Sequence, residues 1–412
     1  MQVSNFVLLA LTGFLAASVP LCLVWTATGA HKYRKLAWVI AFFTFDLIVF
    51  GGFTRLTDSG LGCPDWPGCY GEANPFLAHE HIAAAEALMP TGPVTKMKAW
   101  IEMVHRFLAM GIGILIIVLM AASWLRWRRA RADRIAGKGG ATAARGPVHD
   151  PVHDPVHGPV HGPMLPTLLF LWVCVQGAFG AWTVTLKLQP AIVTLHLLFG
   201  MTLLALAAWL GGREDHLLKP APAIGDTASL RRLRRLAWLS GAVLLLQLAL
   251  GGWVSTNYAT LACNDFPLCN GQVVPDMDFE HGFTLWRELG KTAAGHYLPF
   301  QALTAIHWVH RNFAAVVVLV LCFTAWRAWR LPGLHGTARN IVLLVVAQAL
   351  TGIATVFLNF PLAIAVLHNA GAALLVLLVT MLNYKVQYQL DLALRLPDGH
   401  NPRQTPAPAS HS

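Results

Sequence analysis

Long apolar runs separated by short polar links make up most of this sequence. Runs long enough to cross a bilayer as helices, about 20 residues each, fall near 5–27, 36–55, 100–123, 165–186, 191–211, 236–256, 302–325, 340–359 and 363–384. The links alternate in kind. "HKYRK", "RWRRARADR", "RRLRR" and "WRAWR" are basic and occupy every second link. The links between them carry "CPDWPGC", "CNDFPLC", "LKLQP" and "NFPL". The positive-inside rule puts the basic links and the C-terminus in the cytoplasm. The cysteine loops then face outward, most simply into a bacterial periplasm, so the chain is expected in the inner membrane. The leading "MQVSNF" lacks the positive charge of a signal peptide, so the first run is expected to stay as a helix.

Composition agrees with this pattern. The chain has 412 residues, of which 56% are hydrophobic and 12% charged, where a soluble domain carries about 25% charged residues. A net charge of +10 therefore reports orientation in the membrane and does not call for nucleic acid. Membrane lipid is the first partner.

The chain also repeats itself. "GGFTRLTDSGLGC" from Gly51 aligns with "GGWVSTNYATLAC" from Gly251. "VHRFLAMGIGILI" from Val104 aligns with "VHRNFAAVVVLVL" from Val309, and "QGAFGAWTV" from Gln176 with "QALTGIATV" from Gln348. A tandem duplication of a four-helix unit follows. Because four is even, both copies lie the same way up. The fold expected is an all-α integral membrane protein. It consists of two tandem four-helix bundle repeats related by a pseudo-two-fold along the membrane normal, plus one extra N-terminal helix. The divisions are 1–35 for that helix, 36–127 with 164–215 for the first repeat, 216–385 for the second and 386–412 for a cytoplasmic tail. Between the parts of the first repeat, 128–163 is a low-complexity linker. Its His149, His153, His157 and His161 recur every four residues, but the interleaved prolines prevent a helix from gathering them.

Each C-x5-C pair, Cys63 with Cys69 and Cys263 with Cys269, is expected to close a small disulfide ring in an oxidising compartment. Asp65 with Pro67, and Asp265 with Pro267, supply the turn. The spacing is not that of zinc ligands, whereas a redox-active thiol pair is a serious rival. Cys22, Cys174 and Cys322 lie within apolar spans and read as small buried hydrophobes.

His105, His196, His310 and His368 sit at matching places of the two repeats, near the cysteine loops. Polar residues in membrane helices are costly and suggest function. Two imidazoles facing each other across a bundle suit the axial positions of a haem, whereas zinc would ask for three or four ligands. Arg106 and Arg311 directly follow two of these histidines, where they would pair with haem propionates or snorkel to the interface. Glu102 lies three residues before His105, on the same helix face. Its counterpart is His307. A carboxylate beside an axial ligand suits proton transfer or stabilisation of developing positive charge. The asymmetry suggests one catalytic half and one that relays electrons.

"GGFTRLTDSGLGCPDWPGCYG", "EMVHR" and the four repeated histidines resemble the haem A synthase family, in its proteobacterial form, over about 36–384. The resemblance implies a membrane oxidoreductase. It would oxidise the C8 methyl of haem O through an alcohol to the formyl group of haem A, for cytochrome c oxidase. It also implies haem b on His310 and His368, the substrate haem on His105 and His196, catalysis by Glu102, and a propionate contact at Arg55. The Cys63–Cys69 pair would serve as a structural disulfide or in haem transfer. A haem O synthase upstream, an oxidase assembly factor downstream and an unidentified electron partner are implied too, and a homo-oligomer stays open. Either one substrate-haem ligand leaves to admit oxygen at the iron, or electrons leave the macrocycle and water supplies the oxygen. A bis-His haem carrier or electron-transfer protein is the first rival. A thiol–quinone oxidoreductase is the second.

Overall fold

A computed structural model describes residues 3–136, 162–218 and 226–395. Nine helices among the described residues are long and apolar enough to cross a membrane. They are α1 (Val3–Trp25), α2 (Lys32–Leu56), α4 (Lys96–Ile135), α5 (Met164–Thr185), α6 (Pro190–Leu218), α7 (Thr227–Thr256), α9 (Phe300–Trp329), α10 (His335–Phe357) and α11 (Leu362–Arg395). Two further helices, α3 (His79–Leu88) and α8 (Phe279–Gly282), lie in the long loops. The chain is a multi-pass membrane protein. Every backbone group inside a bilayer must be paired within the protein, which is why the apolar runs become helices.

Helix pairing is the same in both halves. In the first, α2 packs on α4, α4 on α5, α5 on α6, and α6 back on α2. In the second, α7 packs on α9, α9 on α10, α10 on α11, and α11 back on α7. Each half is thus a closed ring of four helices. The rings meet where α2 and α6 touch α11 and where α6 touches α7. α1 lies outside the first ring, on α4 and α2. Asn5 of α1 donates to Gly71 O and to Glu72 Oε2, both at 3.0 Å, which ties its N-terminal end to the first cysteine loop.

The helix ends near the cysteine loops share one local device. After α2, α5, α7 and α10 the chain turns through a non-glycine residue with positive φ: Asp58, Leu188, Tyr258 and Phe360. In each, a late amide bonds back five residues, as Ser59 N does to Thr54 O at 2.9 Å and Phe360 N to Thr355 O at 2.8 Å. Such closures satisfy the orphan carbonyls of a helix end. Pro190 then opens α6 where a missing N–H costs nothing.

The two larger apolar cores lie toward the basic ends of the helices. Ile40, Leu115, Leu119, Leu169, Leu203 and Leu210 fill the first ring. Leu244, Leu321, Ile341, Val345 and Val379 fill the second. Leu319, Leu343, Leu350 and Leu367 face outward, as a lipid-facing surface allows. Cys22 and Cys174 also lie on the outside and Cys322 is half-buried, so these cysteines are not the interior residues expected. In a bilayer the outside of a bundle is as apolar as its inside, so an apolar context does not distinguish the two.

Candidate functional site

Toward the cysteine loops, the interior of each ring belongs to histidines. His105 lies on α4 and His196 on α6, which occupy opposite corners of the first ring. His310 on α9 and His368 on α11 stand likewise in the second. Each imidazole also packs on a glycine of a neighbouring helix. A Cβ added at Gly51 would lie 2.9 Å from His105 Cε1, and one at Gly251 2.9 Å from His310 Cε1. Gly180 meets His196 at 3.2 Å and Gly352 meets His368 at 3.3 Å by the same measure. All four histidines thus have the same setting, with a backbone surface in place of a side chain beside the ring.

The ring nitrogens are treated differently in the two halves. His368 Nδ1 lies 2.9 Å from Thr351 Oγ1. His310 Nδ1 lies 3.1 Å from the amide of Gln247. The buried Nδ1 atoms of His105 and His196 have no hydrogen-bond partner among the described residues. Two glutamines hold the last helix of each half: Gln176 Nε2 donates to His196 O at 3.0 Å, and Gln348 Nε2 to His368 O at 2.8 Å. Among the described residues no three His, Cys, Asp or Glu side chains gather as a zinc centre would require. Imidazoles on opposite corners of each ring fit a planar group that would take one nitrogen from each side.

The cysteine loops cap these interiors, and each is held in the same way. Cys63 and Cys69 are disulfide-bonded, as are Cys263 and Cys269, with Cα atoms 4.9 and 4.6 Å apart. The Asp65 carboxylate accepts from Tyr70 N at 2.6 Å and Gly71 N at 2.7 Å. Asp265 does the same for Asn270 and Gly271. From below, Arg106 donates to the carbonyls of Asp65 (2.9 Å) and Gly68 (2.6 Å). Arg311 donates to Asp265 O (2.9 Å) and Leu268 O (3.0 Å). Both arginines are therefore clamps on the loops as well as interfacial cations.

Glu102 joins that clamp. Buried, with 4% exposure, it accepts from Cys63 N at 2.9 Å and pairs with Arg106. At the matching place His307 Nδ1 accepts from Cys263 N at 3.2 Å. Glutamate and histidine perform one structural task, anchoring the first cysteine's amide. Among the described residues, a carboxylate at this position occurs in the first half alone. Arg55 sits at the junction of the halves. It donates to Ser255 O at 2.6 Å and to Asp58, and it covers the Tyr258 ring at 4.1 Å.

The family model for cytochrome oxidase assembly proteins (COX15-CtaA) matches residues 34–380. The chain is 33% identical over 353 residues to the heme A synthase of Shewanella oneidensis, covering 85% of this chain and 96% of that protein. It is 28% identical to the heme A synthase of Methylobacterium radiotolerans over 84% of this chain and 88% of the relative. With that of Chelativorans sp. the identity is 29%, over 80% and 83%.

The chain belongs to the cytochrome oxidase assembly protein family.

The family match begins after α1 and ends within α11, so it contains both rings, both cysteine loops and all four histidines. The repeating histidines of the linker, His149 to His161, lie outside the described residues. Sequence reasoning found the four histidines, Glu102 and the two cysteine pairs. It missed Gly51, Gly180, Gly251 and Gly352, although each recurs at its repeat position, because glycines in a membrane helix have many uses. It also missed Thr351 and Gln247, whose counterparts in the first half, Phe179 and Leu47, are apolar. That difference was visible in the aligned repeats.

Proposed function

We propose that this chain is a haem A synthase. It is an oxidoreductase that converts the C8 methyl of haem O to an alcohol and then to the formyl group of haem A. The observation that carries the reading is a shared scaffold with one chemical difference. Two rings hold equivalent histidine pairs, and among the described residues only the first has a buried carboxylate one helical turn before the histidine that follows its cysteine loop. Membership of the family and the named relatives point the same way.

In this reading the first half, 36–127 with 164–215, takes the substrate, with His105 and His196 as axial ligands of haem O. The second half, 216–385, holds haem b through His310 and His368. Haem b, when bound there, supplies a one-electron redox couple. The remaining work belongs to the chain. The histidine pair fixes the plane of the substrate between α4 and α6. The disulfide-closed loop and Arg106 cover the ring's mouth and limit water. Glu102 stands one helical turn from His105, with one oxygen on Cys63 N and the other on Arg106. There it stabilises positive charge developing at the methyl carbon and accepts the proton released. In the first oxidation water adds to the methyl carbon, giving the alcohol with loss of two protons and two electrons; the second removes two more of each, and an electron partner accepts the electrons. Arg106, Arg311 and Arg55 lie at the loop ends of their helices and would meet propionates there, alongside their loop contacts.

The basic links set the orientation: cysteine loops in the periplasm of a bacterial inner membrane, C-terminus in the cytoplasm. Oxidised cysteines agree with that compartment. A haem O synthase supplies the substrate and the cytochrome c oxidase assembly machinery receives the product. Expression beside a haem O synthase, in a cell that makes no haem A, tests the reading. Chromatography and mass of the extracted haems should reveal haem A or its alcohol precursor. Unchanged haem O under aerobic conditions would reject it in favour of a haem carrier.

A further inference from the structure

We infer that Thr351 is a positioning residue that makes His368, on the second half's last helix, a firm iron ligand. Its apolar counterpart, Phe179, leaves His196 of the first half the more exchangeable. The inference rests on the bis-histidine reading above and adds what separates the two sites.

Thr351 lies on α10, facing α11. Its hydroxyl is within 2.9 Å of Ala347 O and 3.1 Å of Gln348 O, so its proton goes to the backbone one turn earlier. Its lone pair is then left for His368 Nδ1, at 2.9 Å. That bond requires Nδ1 to carry the proton. The tautomer is thereby fixed, and Nε2 keeps the lone pair a metal needs. A partner on Nδ1–H also fixes the ring's rotation and makes the imidazole a stronger donor.

The first half has the opposite arrangement. Phe179 takes the place of Thr351, three residues after Gln176 as Thr351 is after Gln348. Its ring packs on Trp182 and Phe199, with centroids 5.0 and 4.7 Å away, and offers no acceptor. His196 Nδ1 has no partner among the described residues. The amide nitrogen of Gln176 reaches His196 Nε2 at 3.4 Å, where an N–H would compete with a metal for the same lone pair. A histidine with a free tautomer and a competing donor binds iron less firmly. A site that takes in a substrate haem and releases a product haem requires that; a resident redox centre requires the reverse.

The test uses the purified holoprotein. T351V keeps the shape of threonine and removes the acceptor, and T351S restores it. Haem transfer to apomyoglobin and the midpoint potential of the low-spin haem b are measured for each. The expected result for T351V is haem loss about 10- to 100-fold faster and a more positive potential, with T351S near wild type in both. Should T351V not accumulate, T351A is read in its place. Wild-type rates and potential in both T351V and T351A, with the haem signal still abolished by H368A, would overturn this inference and leave the bis-histidine reading standing. A wild-type protein with no low-spin haem b would instead overturn that underlying reading.

Discussion

A single glycine opposite each histidine sets how closely two helices and an imidazole approach. At Gly251 a methyl group would sit 2.9 Å from His310 Cε1, nearer than a carbon contact allows. The imidazole must shift, at an overpacking cost of about 1–3 kcal/mol. G251V should therefore fold with much reduced haem b, read by the pyridine haemochrome of the purified protein. Full haem content would contradict the role given to the glycine. Glu102 carries two tasks at once. E102A leaves the buried Cys63 amide without its acceptor, at about 1–3 kcal/mol, and should lower the melting temperature as well as turnover. E102Q keeps one acceptor oxygen for Cys63 N but turns an amide N–H2 toward Arg106, so it should lose less stability than E102A while turnover is lost. Equal stability losses in the two variants would remove the anchoring role.

At the scale of elements, the cysteine loops form two copies of one lid. A disulfide closing so short a ring contributes about 2 kcal/mol by the chain-entropy account. Replacing both second-half cysteines, in C263S/C269S, should lower thermal stability by roughly that amount while haem A still forms. Abolished turnover in a folded C263S/C269S protein would assign that pair a redox task. The helices themselves were largely legible in the sequence, since an apolar run as long as a bilayer is thick has few alternatives. Their basic ends were not. α4 continues to Ile135, α7 begins at Thr227 and α11 reaches Arg395, each about ten residues beyond the apolar run. Apolar length measures the bilayer, while arginine-rich turns such as 126–134 continue the helix into water with good intrinsic propensity. The histidines were legible because an apolar background makes a polar residue conspicuous. Thr351 was not, because a threonine in a membrane helix usually bonds its own backbone, and its second bond depends on a helix far away in sequence. Nor did the sequence reveal that Glu102 and His307 share one hydrogen bond, since their side-chain chemistry is so different.

At the scale of the whole molecule, two rings are joined along α2, α6, α7 and α11, and a polar brace closes the joint near the cysteine loops. Arg55 reaches Ser255 O across it, and Tyr258 OH donates to Asp58 at 2.7 Å in the opposite direction. The Arg55 bond at this partly exposed joint is worth about 1 kcal/mol. R55A should lower the melting temperature and slow electron passage between the halves, measured as the rate of haem b reduction during turnover. A brace without functional weight would leave that rate unchanged. The duplication thus yields one scaffold used twice, with a carboxylate in one ring and a hydroxyl-anchored histidine in the other. The most direct test converts the first ring's polar centre into that of the second. E102H installs the His307 arrangement, in which an imidazole accepts from the loop amide and no carboxylate is present. Co-expressed with a haem O synthase, E102H protein should hold haem b at the wild-type level and yield haem O alone on extraction. Haem A at the wild-type level would contradict the assignment of catalysis to the first half's carboxylate.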